Sequence, residues 1–520
     1  MPALRRAAAV VSLIASATTA FAAPPAGSLG DPSVPPYPIW PIPQEARYAD
    51  DRLLLGDAVI VAPPGDARLQ YPARLLAELL EDEFGVALPI VIGEAPAGRT
   101  PIVVGEISAP LLVSAMAAAP AGASVPAETD GYALQVGDAR AVVAGRDYRG
   151  TLYGVSSFVQ LVHAWGKQSV AVRKATVRDW PFLPIRWVHL YLPARDQLAF
   201  AERYLRDVLL RYKFNGLVLE VGGGMRLDTH PEISTGWRRT VAELYAHGET
   251  IDKLGEGIPL GTAHRFAASL HVGVAGGAYL EKEDVRRLAA TAERYGLEIV
   301  PEIQSLSHAY YLAVPHREIA EDPDMEWPDS YCPSNPESYR ILFDVMDEYI
   351  DVLKPRRVHI GHDEWRAGAF CARCRGQETG ALYAQDVLKI QAHLAAKGIE
   401  TWMWGDHFVD SHNRFGKRWS EGGVVRYERP DTRTARDRLA AAGTALHVLN
   451  WSGPNGDATF KTLGWPFVIG NFAGTGEKDW RGRVQRSGTL GGEVSSWGAF
   501  DEFLLGKLQI PEAAFSINQL

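Results

Sequence analysis

Apolar and polar residues follow two successive patterns along the chain. Between Trp40 and about Trp180, short aliphatic runs are interspersed with amphipathic stretches of helical period. This pattern predicts a small α/β domain, an α+β sandwich, over residues 40–180. The domain clusters no acids, histidines or cysteines, so we expect it to be a non-catalytic scaffold. Strands are predicted at 58–62, 89–92, 102–105, 132–136 and 141–144, and helices at 69–83 and 151–164.

After Asp179-Trp180-Pro181 the strands become almost continuously apolar and alternate with longer helical runs. Such repeated units predict a parallel sheet covered by helices. About eight units in residues 181–520 make a closed (β/α)8 TIM barrel the most economical fold. Nine strand candidates are present, so one of the last four is expected to be an extra strand or loop. The candidates are 185–190, 217–221, 298–302, 358–361, 401–404, 424–427, 446–450, 467–471 and 493–497, with helices at 200–212, 285–295, 339–353 and 382–396.

The N-terminal segment has the order of a secretory signal. Two arginines precede an apolar run at 7–21, which ends in an Ala-Phe-Ala signature before a Pro-rich stretch. This order predicts a signal peptide over 1–22 and a loose Pro/Gly-rich leader over 23–39. The run is shorter than the roughly 20 residues that cross a bilayer, and no later segment is long and apolar enough to span one. We therefore expect a periplasmic or secreted protein.

Composition and charge narrow the range of partners. The chain has 520 residues, of which 47% are apolar and 22% charged, so it can bury more than one large core. Its formal charge is -9 and it contains no run rich in Lys or Arg. Nucleic acid and anionic lipid are therefore not expected partners, and a neutral or acidic partner fits better. The oligomeric state is left open.

The three cysteines are too few for a disulfide framework. Cys371 and Cys374 form a C-x-x-C pair shortly after an Asp-Glu pair, and Cys332 lies upstream. The pair is open to three interpretations: a local disulfide, two free thiols, or half of a structural metal site completed by Cys332.

Polar residues gather where the predicted barrel strands end, which is where such barrels build their active sites. Asp363 and Glu364 are adjacent and directly follow the fourth strand. Adjacent acids on a solvated loop usually have no chemical role, but here tryptophans follow the neighbouring strands and could stack on apolar sugar faces. The strand-end residues are Glu302, Gln304 and His308 on the third strand, His359, His362 and Trp365 around the acid pair, Trp404 and Asp406 on the fifth, Tyr427 and Glu428 on the sixth, Asn450 and Trp451 on the next, and Trp497 on the last.

Several of these segments resemble, in order, motifs of the glycoside hydrolase family 20 β-N-acetylhexosaminidases. The resemblance covers nearly everything from Trp40 onward and is that of a divergent member. Its segments are Asp130-Gly131-Tyr132 and 148–154 in the first domain, Arg178-Asp179-Trp180-Pro181 with Ile185-Arg186 at the barrel entry, Pro301-Glu302-Ile303 with His308, 332–336 before the fourth strand, His359 to Glu364 as the catalytic signature, and Gly491-Gly492-Glu493 with Trp497-Gly498.

The resemblance implies a retaining, substrate-assisted mechanism on a β-linked N-acetylglucosamine or N-acetylgalactosamine of a glycan, with no metal or cofactor. The 2-acetamido oxygen attacks the anomeric carbon. Asp363 then orients the acetamido group and stabilises its charge, while Glu364 protonates the leaving oxygen and later activates water. Together with the strand-end positions, this assigns Arg186, His308, Trp404, Asp406, Trp451 and Trp497 to the substrate, and Glu302 and His359 to a supporting layer.

Several positions depart from the family pattern. Gly223 stands where the family has an aspartate that supports the histidine corresponding to His308, and Gln304 replaces another aspartate. The segment Tyr427-Glu428 occupies the place of a pocket tryptophan, and Ala499 that of a sugar-binding glutamate. The tyrosine that completes the acetamido clamp has no clear counterpart, and its candidates are Asn450, Asn471 and Tyr427.

Two alternatives belong to other functional classes. One is a carbohydrate-binding protein that keeps the barrel but turns over little, which the departures above would favour. The other is a metal-dependent hydrolase that uses His359, His362 and Asp363, with or without His308, although the chain has no HExxH-like spacing. Activity on glycosides with and without a chelator separates the three.

Overall fold

The structure, a computed structural model, describes residues 38–118, 124–165, 169–254, 271, 273–325, 328–365, 367–410, 418–421, 424–427, 431–470, 480–497 and 500. The predicted signal peptide and nearly all of the predicted leader lie outside these residues. Within the described part, no helix is both long and apolar enough to cross a membrane. Contacts place the described residues from Ile39 onward in one compact unit.

The first domain contains a mixed sheet whose strands follow the order β1-β8-β5-β6-β4-β2-β3, with β7 paired to β8. The five predicted strands are confirmed with small shifts at their ends. The prediction missed β1, β7 and β8, and the helix predicted at 151–164 ends at Gln160, ahead of β7. Strand β1 is mostly polar and exposed and so shows no apolar run. The strands are β1 Glu45–Leu54, β2 Ala58–Ala62, β3 Ile90–Ile92, β4 Thr100–Glu106, β5 Tyr132–Val136, β6 Ala141–Gly145, β7 Val162–Trp165 and β8 Ser169–Asp179, and the helices are α1 Ala67–Phe84, α2 Pro110–Ala117 and α3 Tyr148–Gln160.

Eight parallel strands then close into a barrel, which confirms the predicted fold. In barrel order they are β9 Ile185–Tyr191, β10 Gly216–Glu220, β11 Glu298–Ser305, β12 Arg357–Gly361, β13 Glu400–Trp404, β16 Leu446–Asn450, β17 Phe467–Ile469 and β18 Gly491–Ser495. The surrounding helices are α4 Leu198–Tyr204, continued by a π-helical turn at Leu205–Leu210, α5 Pro231–Leu254, α6 Lys282–Arg294, α7 Tyr310–Ala313, α8 Pro336–Leu353, α9 Thr379–Ala395, α10 Arg433–Ala441, α11 Pro454–Leu463 and α12 Trp480–Ser487.

The surplus strand candidate is the one at 424–427. It forms β15 Val424–Tyr427, which pairs antiparallel with β14 Arg418–Glu421 in a separate two-stranded sheet. A short apolar run looks the same in the sequence whether the strand belongs to the barrel or to a separate hairpin, so the sequence alone could not exclude this strand from the barrel. The prediction that Tyr427 and Glu428 close the sixth barrel strand is therefore wrong, because that strand is β16, which ends at Asn450. Glu428, Asn471 and Ala499 lie outside the described residues.

The first domain packs against the end of the barrel where the strands begin. Helix α3 contributes three of the contacts: Tyr148 donates to the carbonyl of Arg294 at 2.8 Å, Arg149 Nε to Gly296 at 2.7 Å, and Tyr153 to Phe214 at 2.8 Å. The three carbonyls lie just ahead of β10 and β11. The C-terminal ends of the strands, where such barrels build their active sites, lie at the opposite end of the barrel.

Candidate active site

A strained turn presents the acid pair at the end of β12. Gly361 has a φ of +72°, and a Cβ there would lie 1.9 Å from the side-chain oxygen of Gln304, so a side chain at this position would displace that amide. His362 and Glu364 also adopt left-handed backbone conformations, with φ of +70° and +50°. Such conformations cost about 1–3 kcal/mol each for L residues and persist where the surroundings enforce them, most often at active sites. The turn places Asp363 and Glu364 at the C-terminal mouth of the barrel.

Loops on both sides hold this turn. The amide of Glu364 donates to Asp406 Oδ2 at 3.1 Å, and the amide of Trp365 donates to His407 Nε2 at 2.8 Å. Both acceptors follow β13. From the β11 side, Ser307 Oγ donates to the backbone carbonyl of Asp363. Hydrogen bonds from two neighbouring loops therefore fix the backbone beneath both carboxyls.

The two carboxyls differ in exposure and share one cation. The side chain of Asp363 is 8% exposed and that of Glu364 26%, and His308 Nε2 lies 3.6 Å and 3.8 Å from their respective oxygens. Burial by itself lowers the pKa of His308, but the charges of Asp363 and then Glu364 outweigh it and raise that pKa to about 9. His308 is therefore cationic at neutral pH, and its Nε2 faces both carboxyls.

His308 is supported from a direction that the sequence analysis missed. Its ring stacks on that of His271, with centroids 4.3 Å apart, and His271 Nδ1 shares a 2.6 Å hydrogen bond with Glu220. Glu220 is the last residue of β10 and is 1% exposed. Gly223 has no side chain to offer, as expected. A buried acid at the end of an apolar strand was the available signal for Glu220, whereas no pattern in the sequence marks His271.

Below the dyad, the barrel interior holds an ionised network around Glu302. Its carboxylate accepts the indole N–H of Trp404 at 2.7 Å and lies 2.8 Å from His189 Nε2 and 3.2 Å from His359 Nδ1. Burial alone raises the pKa of Glu302, but His359 and His189 hold it well below its usual range. Burial lowers the pKa of His189, and the Glu302 charge more than reverses this, raising that pKa to about 10. Glu302 and His359 thus lie inside the barrel, bound to each other, and their supporting role stays a prediction.

The predicted substrate tryptophans do not all lie at the surface of the site. Trp404 is fully buried, with its ring 4.9 Å from His359 and 5.4 Å from Trp497, so it forms the floor and offers no open face to a sugar. Trp451 and Trp497 are only partly buried and pack against this floor. They therefore remain candidates for sugar stacking. Asp406 is buried, and its Oδ2 accepts the backbone amide of Glu364.

Arg186 lies at the other end of the barrel. It is the second residue of β9, and its guanidinium bonds to Asp130 at 3.0 Å, Tyr153 at 3.2 Å and the carbonyl of Lys213 at 2.9 Å. It is 3% exposed and lines a cavity of about 230 Å³ beside the first domain. The expectation that Arg186 binds sugar hydroxyls does not fit this position, because the side chain is committed to the contact between the domains.

The ligand set of the metal-hydrolase alternative does not converge. His362 directs Nε2 to Asp386 at 2.8 Å and Nδ1 to the carbonyl of Ile360 at 3.1 Å, away from Asp363. Among the described residues, three groups of His, Cys, Asp or Glu are close enough to hold a metal ion, and none contains Asp363, His362 or His359.

Comparisons with known families agree with this geometry. Residues 36–180 match the model of glycosyl hydrolase family 20, domain 2, and residues 230–439 match that of the glycosyl hydrolase family 20 catalytic domain. The second match includes both acids of the turn and His308.

The curated relatives are similar over part of their length. A beta-hexosaminidase from Akkermansia muciniphila is 26% identical over 292 residues, which are 52% of each chain. A beta-hexosaminidase from Porphyromonas gingivalis is 22% identical over 359 residues, covering 64% of this chain and 40% of that one. The chain thus spans about half, or less, of the length of these relatives.

Solved structures share the fold over nearly all of the chain. A beta-N-acetylhexosaminidase from Bacteroides fragilis superposes with a TM-score of 0.64 at 16% identity, covering 93% of this chain and 90% of that one. An exo beta-N-acetylglucosaminidase from Vibrio harveyi, in complex with N-acetylglucosamine, gives 0.63 at 13% identity, covering 92% and 73%. With two family models matched in chain order and the acid pair at the mouth of the barrel, the chain belongs to glycosyl hydrolase family 20.

Proposed function

We propose that the protein releases β-linked N-acetylhexosamine, GlcNAc or GalNAc, from a glycan by a retaining, substrate-assisted mechanism. The observation that carries the proposal is the strained turn after β12, which holds a buried Asp363 next to a more exposed Glu364 with cationic His308 between them. Hexosaminidases among the relatives and structural neighbours support the substrate class.

In the first step the acetamido carbonyl oxygen forms a bond to the anomeric carbon while the glycosidic C–O bond breaks. Glu364 transfers its proton to the departing oxygen, and Asp363 accepts the acetamido N–H and stabilises the positive charge that spreads over the ring. In the second step Glu364, now a carboxylate, takes a proton from water. That water attacks the anomeric carbon and opens the bicyclic intermediate, which restores the acetamide with the original configuration.

The two environments suit this division of labour. Asp363 must stay ionised, and its buried carboxylate next to His308 lies where solvent screens its charge least. Glu364 must exchange protons with a leaving group and with water, and its side chain is the more exposed of the two. His308 also stabilises the Glu364 carboxylate that forms when the proton leaves.

The test compares aryl β-N-acetylglucosaminide and β-N-acetylgalactosaminide with the matching aryl β-glucoside and β-galactoside. We expect hydrolysis of the acetamido sugars only, because the 2-hydroxy sugars carry no internal nucleophile. Comparable rates on the 2-hydroxy glycosides would refute substrate assistance. Binding of N-acetylglucosamine without hydrolysis of any substrate would favour the carbohydrate-binding alternative.

We also propose that the protein acts in the periplasm or outside the cell. The support is the order of charged, apolar and small residues over 1–22. Expression of the full chain in a bacterial host should yield an extracytoplasmic protein whose N-terminal sequence begins at Ala23. A cytoplasmic product that retains residues 1–22 would contradict this.

A further inference from the structure

All three cysteines of the chain meet at one place outside the acid pair. Cys332 Sγ lies 3.3 Å from Cys371 Sγ and 3.4 Å from Cys374 Sγ. Cys332 and Cys374 are 2% and 0% exposed, and Cys371 is 9% exposed. The amide of Cys374 donates to Cys371 Sγ at 3.3 Å, an arrangement that stabilises negative charge on that sulfur.

Glu321 completes the group. It is fully buried, and its Oε1 accepts the amides of Phe370 at 2.8 Å and Cys371 at 3.4 Å. Its other oxygen, Oε2, is buried without a hydrogen-bond partner among the described residues. A donor atom from Glu321 lies within 4.8 Å of all three sulfurs. Burying a carboxylate oxygen without a partner is costly, and a cation between it and the sulfurs would remove that cost.

All three cysteines are free thiols, and the distances from Cys332 Sγ fit a metal site better than a disulfide to either partner. A disulfide requires sulfurs about 2.05 Å apart, so Cys332 and either partner would have to move together by more than about 1.2 Å. Zinc–sulfur bonds of about 2.3 Å in a tetrahedron place the sulfurs about 3.8 Å apart, which needs an outward adjustment of about 0.4 Å. A disulfide would also leave the third thiol and Glu321 without a matching partner.

We propose that Cys332, Cys371, Cys374 and Glu321 bind one structural Zn²⁺ ion. Zinc accepts both cysteine thiolates and carboxylate oxygens as ligands in a tetrahedral set of four, and a site with four protein ligands has no open position for catalysis. The metal ties two loops together. One follows β11 and pairs Ala320 with Tyr331 across a short antiparallel bridge, and the other continues from the acid pair.

This position gives the metal a role in holding the active site. Cys371 and Cys374 lie in the loop that begins with Asp363 and Glu364, while Glu321 and Cys332 lie in the loop that also carries His308. Zinc would therefore stabilise the two loops that bring His308 to the carboxyls. It would do so without contacting the substrate, so its removal should lower stability first and activity only as the loops open.

The first experiment uses the full wild-type chain, expressed with zinc sulfate in the medium and purified without chelator. Elemental analysis should give about one zinc per chain. Thiol titration after denaturation in chelator should give three free thiols. A metal-free protein that also fails to take up added Zn²⁺ would overturn the proposal, and so would one disulfide with a single free thiol.

The second experiment compares Glu321→Gln and Cys374→Ser with Glu318→Gln, a matched control on the same loop. Glu318 is 60% exposed, bonds to His316 and is not one of the four clustered ligands. We expect both cluster variants to lose zinc and to show a lower Tm that added Zn²⁺ no longer raises, whereas Glu318→Gln keeps one zinc. Equal zinc content in all three variants would overturn the assignment of these ligands. If Cys374→Ser does not fold, the number of zinc ions per wild-type chain tests the proposal instead.

The third readout separates this inference from the proposed function. Wild-type enzyme treated with EDTA and assayed at once should keep its kcat on the aryl N-acetylglucosaminide while its Tm falls. Cobalt bound in place of zinc should show the intense visible absorption of tetrahedral thiolate coordination. Immediate loss of kcat with unchanged Tm would contradict a structural site, whether or not the hexosaminidase assignment holds.

Discussion

The roles of the two acids can be separated by changing the leaving group. Glu364→Gln removes the proton donor but leaves the shape of the side chain. We expect kcat/KM to fall roughly 10²- to 10⁴-fold on a natural glycan or alkyl glycoside, whose alkoxide needs a proton to leave. On a dinitrophenyl glycoside, which leaves without protonation, the loss should be far smaller.

Asp363→Asn acts on the other half of the transition state. A full positive charge about 3 Å from a carboxylate is stabilised by about 5 kcal/mol at an effective dielectric constant of about 20. The side chain is 8% exposed, so solvent screens little of this, but His308 at 3.6 Å partly opposes it. Because asparagine keeps a hydrogen-bonding group, we expect a net loss of about 3–4 kcal/mol, or roughly 10²- to 10³-fold in kcat/KM.

The assay is kcat/KM of wild type and both variants on one activated and one unactivated β-N-acetylglucosaminide, with circular dichroism to confirm folding. The Asp363→Asn loss should appear on both substrates, since charge develops on the acetamido group whatever the leaving group is. The reasoning is refuted if Glu364→Gln is equally impaired on both substrates, or if Asp363→Asn is nearly silent.

Three further variants test the surroundings of the dyad. Asp406→Ala removes the acceptor of the Glu364 amide, so kcat of the folded enzyme should fall by roughly tenfold or more, and Tm should also fall because the buried amide loses its partner. An unchanged kcat would contradict the positioning role. The pKa of His189 is raised from 6.5 to about 10. The stability that this histidine contributes is therefore fully present below about pH 6.5 and is lost as the pH rises through about 10. Between these two pH values, the Tm of the wild type should fall more than the Tm of His189→Gln. Arg186→Met leaves Asp130 with one fewer cation, so urea unfolding should show a loss of about 2–4 kcal/mol, with kcat/KM of the folded enzyme unchanged.

The barrel could be predicted because its strands are buried on both faces and so appear as continuous apolar runs between helices. Two strands show where this signal fails. Strand β1 is mostly exposed and polar, and it is a strand only because β8 provides a partner. Strand β15 has an apolar run but lies outside the barrel. In both cases the outcome depends on tertiary pairing, which local periodicity does not encode.

The acid pair could be predicted because its residues are contiguous and follow a strand. The residues that support His308 could not be predicted in this way. They are His271 and Glu220, which are 51 residues apart and meet only in the folded barrel. Trp404 and Arg186 show the converse error. A motif gives the position of a side chain along a strand, but burial and contacts with the neighbouring domain determine whether that side chain can reach the substrate.

The most direct test of substrate assistance alters the nucleophile that the substrate itself carries. The rate of hydrolysis should be measured on a series of aryl β-glucosaminides whose N-acetyl group bears zero, one, two or three fluorines. Each fluorine withdraws electrons from the carbonyl oxygen that attacks the anomeric carbon, without altering the leaving group. The proposed mechanism predicts that log(kcat/KM) falls steeply and progressively along the series, and a flat series would show that the acetamido group is not the nucleophile.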